Sequence, residues 1–239
     1  MIQELWPGGP FFKEDAEGFR IGADSVLLSY FAKSSSLKKK NRAIDLGCGT
    51  GVISIILAWD NGKLHIDGVE IQPRAAELAS ENAESSGLSD RISIIEGDLR
   101  NHRTFFQAGA YDFAISNPPY YTQGSGRRAS GKGLAAARDE ELCTLYDVCS
   151  AARYLTRFGG AFFLVHKPER LAEVFRVLSG AGFEPKRIRF VQYKSTSPPN
   201  LVLIESRRGG KPPLSIESPL ILISDDGSDT DEIRAIYRR

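Results

Sequence analysis

The tetrapeptide Asn117-Pro118-Pro119-Tyr120 combines an amide, two prolines and a phenol directly after an apolar run. Two successive prolines remove two backbone donors and stiffen the loop, which leaves its carbonyls as acceptors. The side-chain oxygen of Asn117 and the carbonyl of Pro118 could each accept one hydrogen of a planar exocyclic amine. That grip favours a pyramidal nitrogen whose lone pair points at an electrophilic carbon, so catalysis would rest on orientation and charge placement. Tyr120 adds an aromatic face on which a base could stack.

A second candidate site is the glycine-rich segment Asp45–Gly51, which follows the first core strand and opens a helix. Glycines there permit positive φ and a close approach of the backbone to a ligand. The third glycine comes one residue earlier than in the dinucleotide fingerprint, and Asp45 stands two residues before the first. A carboxylate at the floor of the loop disfavours a pyrophosphate and favours an ammonium. The segment therefore predicts a ligand with an ammonium and a nucleoside, and S-adenosylmethionine meets that description.

Two acidic residues at later strand ends agree with such a ligand. Glu70 ends the second core strand, 19 residues after Gly51, where a carboxylate can accept both hydroxyls of a ribose. Asp98 follows the third strand and can accept from an adenine amino group. Capping the segment 99–106 as a helix is the alternative role for Asp98.

The elements that must position these residues follow from an alternation of apolar strands and helical patterns. Strands are predicted at 43–46, 64–69, 92–95, 111–116 and 161–166, helices at 52–59, 73–87, 139–157 and 168–178, and a final antiparallel pair at 188–192 and 201–205. This order predicts an α/β fold with a mostly parallel seven-stranded sheet and helices on both faces. Ligands bind such sheets beyond the carboxyl ends of the strands.

The chain has 239 residues, of which 41% are hydrophobic, and a formal net charge of +1. These values fit one globular domain and exclude a bulk polycation or an acidic disordered chain. We predict an N-terminal extension over 1–40 (a strand, a turn at Gly22 and a helix), a main domain over 41–211 and a tail over 212–239.

No apolar run reaches the ~18 residues of a membrane span, and no secretory signal is visible. The three cysteines, Cys48, Cys143 and Cys149, are odd in number and lack a paired spacing. They indicate reduced thiols in a cytoplasmic chain and argue against a metal site.

Basic segments give the chain local patches that could contact nucleic acid. The loop 122–138 carries four cations and no acidic residue, the segment 184–211 is also basic, and Lys38–Lys40 adds a third patch. Each phosphate that such a residue neutralises contributes a salt-dependent term to binding, although a solvated surface explains a single patch equally well. The candidate RNA-binding residues are Arg127, Arg128, Lys132, Arg138, Lys194, Arg207 and Arg208.

These motifs, in this order, resemble the class I S-adenosylmethionine-dependent methyltransferases that act on planar amines. Within that class the chain looks most like the bacterial tRNA adenine-N6 methyltransferases that modify valine tRNA. The resemblance covers roughly 22–210 and the tail. It is carried by the segments 19–28, 45–51, 116–121, 137–138, 158–160 and 230–237.

The resemblance implies a role for each candidate residue. The catalytic set is Asn117, Pro118, Pro119 and Tyr120, which hold the target base. The cofactor set is Asp24, Asp45, Gly47, Cys48, Gly49, Gly51, Glu70, Asp98, Leu99 and Asn117, although Asp24 could equally cap its own helix. S-adenosylmethionine would be converted to S-adenosylhomocysteine, with an adenine splayed from a tRNA anticodon loop as acceptor. We expect a monomer, with the basic loop 122–138 as a lid ordered by RNA.

Three other functions are compatible with the same motifs. A protein methyltransferase acting on a glutamine amide usually carries a dedicated N-terminal helical domain, for which 40 residues leave little room. An rRNA guanine-N2 methyltransferase usually has Phe where Tyr120 stands. A cofactor-binding module without catalysis would not need both intact motifs.

Overall fold

The computed structural model describes residues 2–13, 21–35, 41–120 and 143–238. Its strands are β1 (Ile2–Glu4), β2 (Phe11–Lys13), β3 (Arg42–Leu46), β4 (His65–Glu70), β5 (Ile92–Glu96), β6 (Tyr111–Ser116), β7 (Thr156–His166), β8 (Phe183–Gln192), β9 (Pro199–Arg208), β10 (Ser215–Ile216) and β11 (Leu220–Ile221). Its helices are α1 (Ala23–Lys33), α2 (Val52–Asp60), α3 (Pro73–Ser85), α4 (His102–Phe105), α5 (Leu145–Leu155), α6 (Leu171–Gly180) and α7 (Asp231–Ile236). Single 3₁₀ turns cover Leu99–Asn101 and Pro168–Arg170.

The central sheet has the strand order β10-β8-β9-β7-β6-β3-β4-β5, and β11 also pairs with β8. Neighbours among β3 to β7 are parallel, whereas β9 is antiparallel to both β7 and β8. The predicted α/β fold, its parallel sheet and its final antiparallel pair are confirmed. The seven predicted strands form the body of the sheet, to which the tail adds β10 and β11.

Helices cover both faces of the sheet because successive side chains of its strands point to opposite sides. In β6, Phe113 and Ile115 join the cluster that contains α1 and α2, whereas Ala114 joins the cluster that contains α5 and α6. Strand β7 alternates in the same way. All of these strand positions are fully buried, which fits a parallel sheet covered on both faces.

Several predicted elements have different boundaries in the structure. The helix predicted over 139–157 begins at Leu145 within the described residues, because Thr144 and Asp147 form a reciprocal cap there. It ends at Leu155, and β7 begins at Thr156 rather than at 161. The helix predicted over 168–178 starts as the 3₁₀ turn at Pro168 before α6 continues it.

The terminal segments share their core with the main domain. Phe12 of β2 is fully buried, and the backbone amides of Phe11 and Lys13 donate to Ser86 and Asn82 around the end of α3. In the tail, Leu220 is fully buried against the cluster that also holds α1 and α2. The tail therefore packs on the sheet, which the sequence alone does not predict.

Candidate active site

A cavity of about 380 Å³ opens where the carboxyl ends of β3, β4 and β6 meet. This is the edge of a parallel sheet at which ligands are expected. The predicted residues that line it are Gly47, Glu70, Asp98, Leu99, Asn117, Pro118, Pro119 and Tyr120. The residues that complete its wall without having been predicted are Leu46, Val69, Ile71, Gln72, Gly97, Cys143 and Val148. Most of these missed residues are apolar and lie next to a predicted site residue in the sequence. That adjacency is the only sequence signal that could have identified them.

The glycine loop adopts the backbone conformation that its composition predicts. Gly47, Gly49 and Gly51 have φ values of +72°, +53° and +82°, which side-chain-bearing residues rarely adopt. A Cβ built on Gly51 would lie 3.3 Å from the Cβ of Ala79, so the loop also packs closely on α3. A Cβ built on Gly47 would project into open space, where the loop borders the cavity.

Glu70 connects two loops at the floor of the cavity. Its Oε2 accepts the backbone N–H of Gly49 at 2.9 Å, and its Oε1 accepts the backbone N–H of Gln72 at 2.9 Å. The residue is only 6% exposed, yet it lines the cavity. A carboxylate oxygen accepts more than one hydrogen bond, so hydroxyl donors from a ligand could add to these contacts.

Asp45 lies beneath the loop rather than in the wall of the cavity. It is fully buried; its Oδ2 accepts from the Ser54 hydroxyl at 2.8 Å, and its Oδ1 has no hydrogen-bond partner among the described residues. Burial raises the pKa of this carboxyl to about 7. An orphaned buried carboxylate oxygen at this depth is a group that a cation would stabilise.

Cys48 is the small residue between the glycines. Its side chain is buried against Gly68, where a Cβ would lie 2.9 Å from the sulfur. Burial raises the pKa of this thiol well above its ordinary value, so it is held as a thiol and packs against the neighbouring strand.

Asp98 caps the 3₁₀ turn that follows it, as the alternative prediction has it, and also lines the cavity. Its Oδ1 accepts the backbone N–H of Arg100 at 2.8 Å and so caps the 3₁₀ turn, and both of its oxygens also accept from the Arg100 guanidinium. These hydrogen bonds hold the pKa of Asp98 below its ordinary value. The carboxylate still lines the cavity next to the buried Leu99.

Asn117 and Tyr120 form a hydrogen-bonded network with the first turn of α1. The Asn117 Nδ2 donates to the Ser25 hydroxyl at 3.0 Å. The Tyr120 hydroxyl lies 2.5 Å from the Asn117 Oδ1 and 2.9 Å from the Asp24 Oδ2. The N-cap of α1 is Gly22 and no side chain of the described residues caps this helix, so the helix-capping alternative for Asp24 is wrong. Ser25 lies outside every predicted set.

Tyr120 also contacts the last residue of β7 and the segment that follows this strand. The Arg170 guanidinium donates to the Tyr120 carbonyl at 2.8 Å. The Lys167 ammonium lies 5.2 Å from the centroid of the Tyr120 ring, and the His166 ring meets that ring edge-on at 5.4 Å. Burial lowers the pKa of His166 to about 4, so it is neutral at pH 7, with its Nδ1 accepting the backbone N–H of Lys167. These contacts hold the ring of Tyr120 in one orientation.

The predicted RNA-binding residues fall at two edges of the sheet. Lys194 follows β8 at the carboxyl edge, the edge that also holds Asn117. Arg207 and Arg208 pair with Glu184 and Phe183 at the amino end of β8, so they lie at the opposite edge. Arg207 donates to Glu205 at 2.8 Å, and Arg208 donates to the carbonyl of Thr156. These two arginines therefore lie at the edge opposite to Asn117, because β9 runs antiparallel to its neighbours.

The other predicted cations, Arg127, Arg128, Lys132, Arg138 and Lys38–Lys40, lie outside the described residues. Ion pairs also neutralise much of the positive charge of the segment 184–211. Arg187 pairs with Glu205 and Glu217, and Arg189 forms a bidentate pair with Glu232.

The cavity suits S-adenosylmethionine by shape and by chemistry. The open space beside Gly47 leaves room for a ligand against the backbone, and the Asp45 Oδ1, which has no partner in the described part of the chain, lies under the same loop. Glu70 and Asp98 supply acceptors for hydroxyl and amino groups, while Leu46, Val69 and Val148 add apolar wall. Within the described ranges, no group of His, Cys, Asp or Glu side chains is arranged to hold a metal ion.

Comparison with known proteins agrees with this site. The family described as the methyltransferase small domain matches residues 21–170. The chain belongs to this family. It is an S-adenosylmethionine-dependent methyltransferase, and the match spans the glycine loop, Glu70, Asp98 and the tetrapeptide after β6.

Relatives of the methyltransferase match over nearly their whole length. It is 32% identical over 225 residues to a protein of Tolumonas auensis named tRNA1(Val) (adenine(37)-N6)-methyltransferase, with 93% of this chain and 90% of the relative covered. A protein of Dickeya chrysanthemi with the same name is 30% identical, with coverage of 98% and 94%.

Solved structures support the fold. A predicted O-methyltransferase from Agrobacterium tumefaciens superposes with a TM-score of 0.73 at 19% identity, over 90% of this chain and 95% of that one. A putative RNA methyltransferase from Pyrococcus horikoshii superposes with a TM-score of 0.59 at 19% identity, over 82% and 92%. No helix of the described ranges has the length and hydrophobicity that a membrane span needs.

Proposed function

We propose that this methyltransferase transfers a methyl group from S-adenosylmethionine to the exocyclic N6 amine of an adenine in a tRNA anticodon loop. The observation that carries the proposal is the placement of Asn117–Tyr120 in the wall of the same cavity as Glu70 and Asp98. The names of the two relatives above favour tRNA adenine over a glutamine amide or an rRNA guanine as the acceptor.

The tetrapeptide supplies the acceptors that the amine needs. The Asn117 side-chain oxygen and the Pro118 carbonyl accept its two hydrogens, and the ring of Tyr120 stacks on the base at ~1–3 kcal/mol. The amine then meets an activated methyl group, which S-adenosylmethionine supplies on its sulfonium. Because the donor is already activated, the residues of the chain contribute orientation and preorganised dipoles.

The glycine loop and the strand ends bind the cofactor in this proposal. The loop 45–51 holds the methionine part, with the carboxylate of Asp45 below it as the charge that favours the ammonium. Glu70 accepts from the ribose hydroxyls, and Asp98 accepts from the adenine amino group while it stays paired with Arg100. The N-terminal extension, through α1, covers the side of the site on which Asn117 and Tyr120 lie.

The acceptor RNA approaches the carboxyl edge of the sheet. Lys194 lies on that edge, and Tyr193 beside it is 57% exposed and available for stacking. We also propose that the protein acts as a monomer in the cytoplasm, where tRNA is found. The free thiols of Cys48, Cys143 and Cys149 fit a reducing compartment.

The direct test is transfer of labelled methyl groups from S-adenosylmethionine by the purified full-length chain. Total tRNA, rRNA and release factors are supplied as separate acceptors, and the tRNA is then digested for nucleoside mass spectrometry. We expect label in tRNA as N6-methyladenosine. Label in protein alone, or N2-methylguanosine in rRNA, would replace the proposed acceptor, and no transfer to any acceptor would leave a cofactor-binding protein.

A deletion strain gives the matching result in cells. One N6-methyladenosine should be missing from its tRNA, and the wild-type gene should restore it. The Asn117→Ala gene should fail to restore the modification at an equal protein level.

A further inference from the structure

The carboxamide of Asn117 has a different hydrogen-bond partner at each end. Its Nδ2 donates to the Ser25 hydroxyl at 3.0 Å, and its Oδ1 lies 2.5 Å from the Tyr120 hydroxyl. An amide that turns by 180° exchanges its nitrogen for its oxygen at almost no steric cost. In the proposed reaction such a turn would present two N–H donors to an amine that itself donates. The partners of the Asn117 carboxamide therefore decide whether its oxygen faces the amine and can accept one of the amine hydrogens, which is the amine clamp of the proposed reaction.

We infer that Ser25, in the first turn of α1, is a positioning residue that sets the orientation of the Asn117 carboxamide for methyl transfer. The inference rests on the proposed function, which gives that carboxamide its task. A serine hydroxyl that accepts from Nδ2 directs Oδ1 to the opposite side, toward Tyr120 and the cavity. Alanine at this position offers the Asn117 Nδ2 no partner, so the amide loses the contact that holds its nitrogen end and can turn more freely.

Asp24 holds Tyr120, the other hydrogen-bond partner of the Asn117 carboxamide. Its Oδ2 lies 2.9 Å from the Tyr120 hydroxyl, which has a single proton and lies between this carboxylate and the Asn117 Oδ1. An ionised carboxylate can only accept, so it competes with Asn117 for that proton. The shorter of the two distances favours donation to the Asn117 oxygen, which keeps that oxygen and not the amide nitrogen on the Tyr120 side, and its second lone pair remains for a hydrogen of the incoming amine. Asp24 fixes the position of the phenol, and Ser25 holds the nitrogen end of the same amide.

Helix α1 is a rigid support for these two residues. Leu27, Leu28 and Phe31 bury its inner face almost completely. At its far end the Arg187 guanidinium lies 3.9 Å from the centroid of the Phe31 ring and donates to the Phe31 carbonyl at 2.8 Å. Ser25 itself is only partly buried, so its hydroxyl can be removed without opening a cavity in the core.

The test is a double-mutant cycle between Ser25 and Asn117, measured on the acceptor that the wild type methylates. We expect Ser25→Ala to lower kcat about tenfold, with KM for the acceptor and the affinity for S-adenosylhomocysteine within about twofold. Ser25→Thr keeps the hydroxyl and should recover most of the lost kcat. In an Asn117→Ala background the same Ser25→Ala change should cost nothing further, because the side chain through which it acts is gone.

Ser80→Ala is the matched control, since this serine also lies on a helix and its hydroxyl donates to the backbone carbonyl of Ala76 at 3.1 Å. It should leave kcat and the melting temperature unchanged. A full tenfold loss from Ser25→Ala on top of Asn117→Ala would overturn the inference. So would a loss that Ser25→Thr does not reverse, or a Ser25→Ala enzyme with normal kcat.

A second measurement separates this inference from the proposed function. The two side-chain amide protons of Asn117 should give distinct NMR signals in the wild type with S-adenosylhomocysteine, and Ser25→Ala should broaden or shift them. Unchanged signals would overturn the inference even if tRNA is methylated. Perturbed signals with methyl transfer to protein or rRNA would uphold it while overturning the proposed acceptor.

Discussion

The carboxylate of Glu70 lies 2.9 Å from the backbone nitrogen of Gly49, so the end of β4 holds the glycine loop that follows β3. The same carboxylate also holds the backbone nitrogen of Gln72 at 2.9 Å. One side chain thus sets the distance between the loop proposed for the methionine part and the strand end proposed for the ribose.

Removing the Glu70 carboxylate should weaken cofactor binding, because the glycine loop loses its support and the ribose loses an acceptor. Glu70→Ala leaves two backbone N–H groups without an acceptor and removes the acceptor for the ribose hydroxyls. We expect the dissociation constant of S-adenosylhomocysteine to rise by tenfold or more, at ~1–3 kcal/mol for each unsatisfied group. Isothermal titration calorimetry measures it. Glu77→Ala, at an exposed glutamate of α3, is the control, and equal affinities in the two variants would contradict the role of Glu70.

The raised pKa of Asp45 predicts a pH-dependent affinity. Its carboxyl titrates at about 7 in the folded protein against the ordinary 3.8. The folded state therefore binds this proton more tightly than the unfolded state. Stability from this group is greatest below about pH 4 and falls as the pH rises to about 7. An ammonium held near the carboxylate offsets that cost, so the affinity for S-adenosylhomocysteine should rise about tenfold between pH 6 and pH 8.

Asp45→Asn is the variant that tests this prediction. It should flatten the pH dependence of the affinity, and it should raise the melting temperature of the cofactor-free protein at pH 8 relative to the wild type. A wild-type affinity that stays constant over this pH range would show that the charge of Asp45 is not involved.

Asn117→Ala tests the amine clamp itself. The loss of one preorganised polar contact to the reacting group should reduce turnover by ~100-fold or more, with the affinity for S-adenosylhomocysteine within a few-fold. Single-turnover methyl transfer and calorimetry measure the two quantities. Turnover close to the wild-type value would remove the clamp from the mechanism.

The two edges of the sheet should respond differently to loss of charge. Lys194→Gln, at the carboxyl edge, should weaken tRNA binding and reduce the slope of log K against log[salt] by about one. Arg207→Gln should leave both quantities unchanged, since Arg207 lies at the amino edge and pairs with Glu205. Filter binding at several salt concentrations measures both variants. The opposite ranking of the two would place the RNA at the amino edge.

Burial of the tail predicts its contribution to stability. Leu220→Ala removes a fully buried side chain and should lower the free energy of unfolding by about 2–5 kcal/mol. Ile216→Ala, four residues earlier and 67% exposed, should change it by less than about 0.5 kcal/mol. Urea denaturation compares the two, and similar values would show that the tail does not pack as described.

Local motifs made the centre of the site predictable. The glycines of the loop 45–51 and the prolines after β6 restrict the backbone through their own chemistry, and both segments lie where the alternation of strands and helices predicts. Asp98 as cap and as cavity residue was also foreseeable, because both roles depend on its position directly after a strand.

The contacts that support the site depend on packing between distant segments. Ser25 and Asn117 are 92 residues apart in the sequence, and Tyr120 and Arg170 are 50 apart. No local pattern brings α1 or the turn after β7 to the tetrapeptide. The positions of Arg207 and Arg208 were within reach, however, because the predicted antiparallel pair already implies that β9 ends at the far edge.

The pairing of β10 and β11 with β8 has a consequence for solubility. Residues 215–216 pair with 187–188, and residues 220–221 pair with 191–192, along what would otherwise be an open border of the sheet. Unpaired backbone groups on such a border are a template for another chain to join, which leads to aggregation. The two short strands of the tail thus cover this border of the sheet and protect the folded protein from self-association.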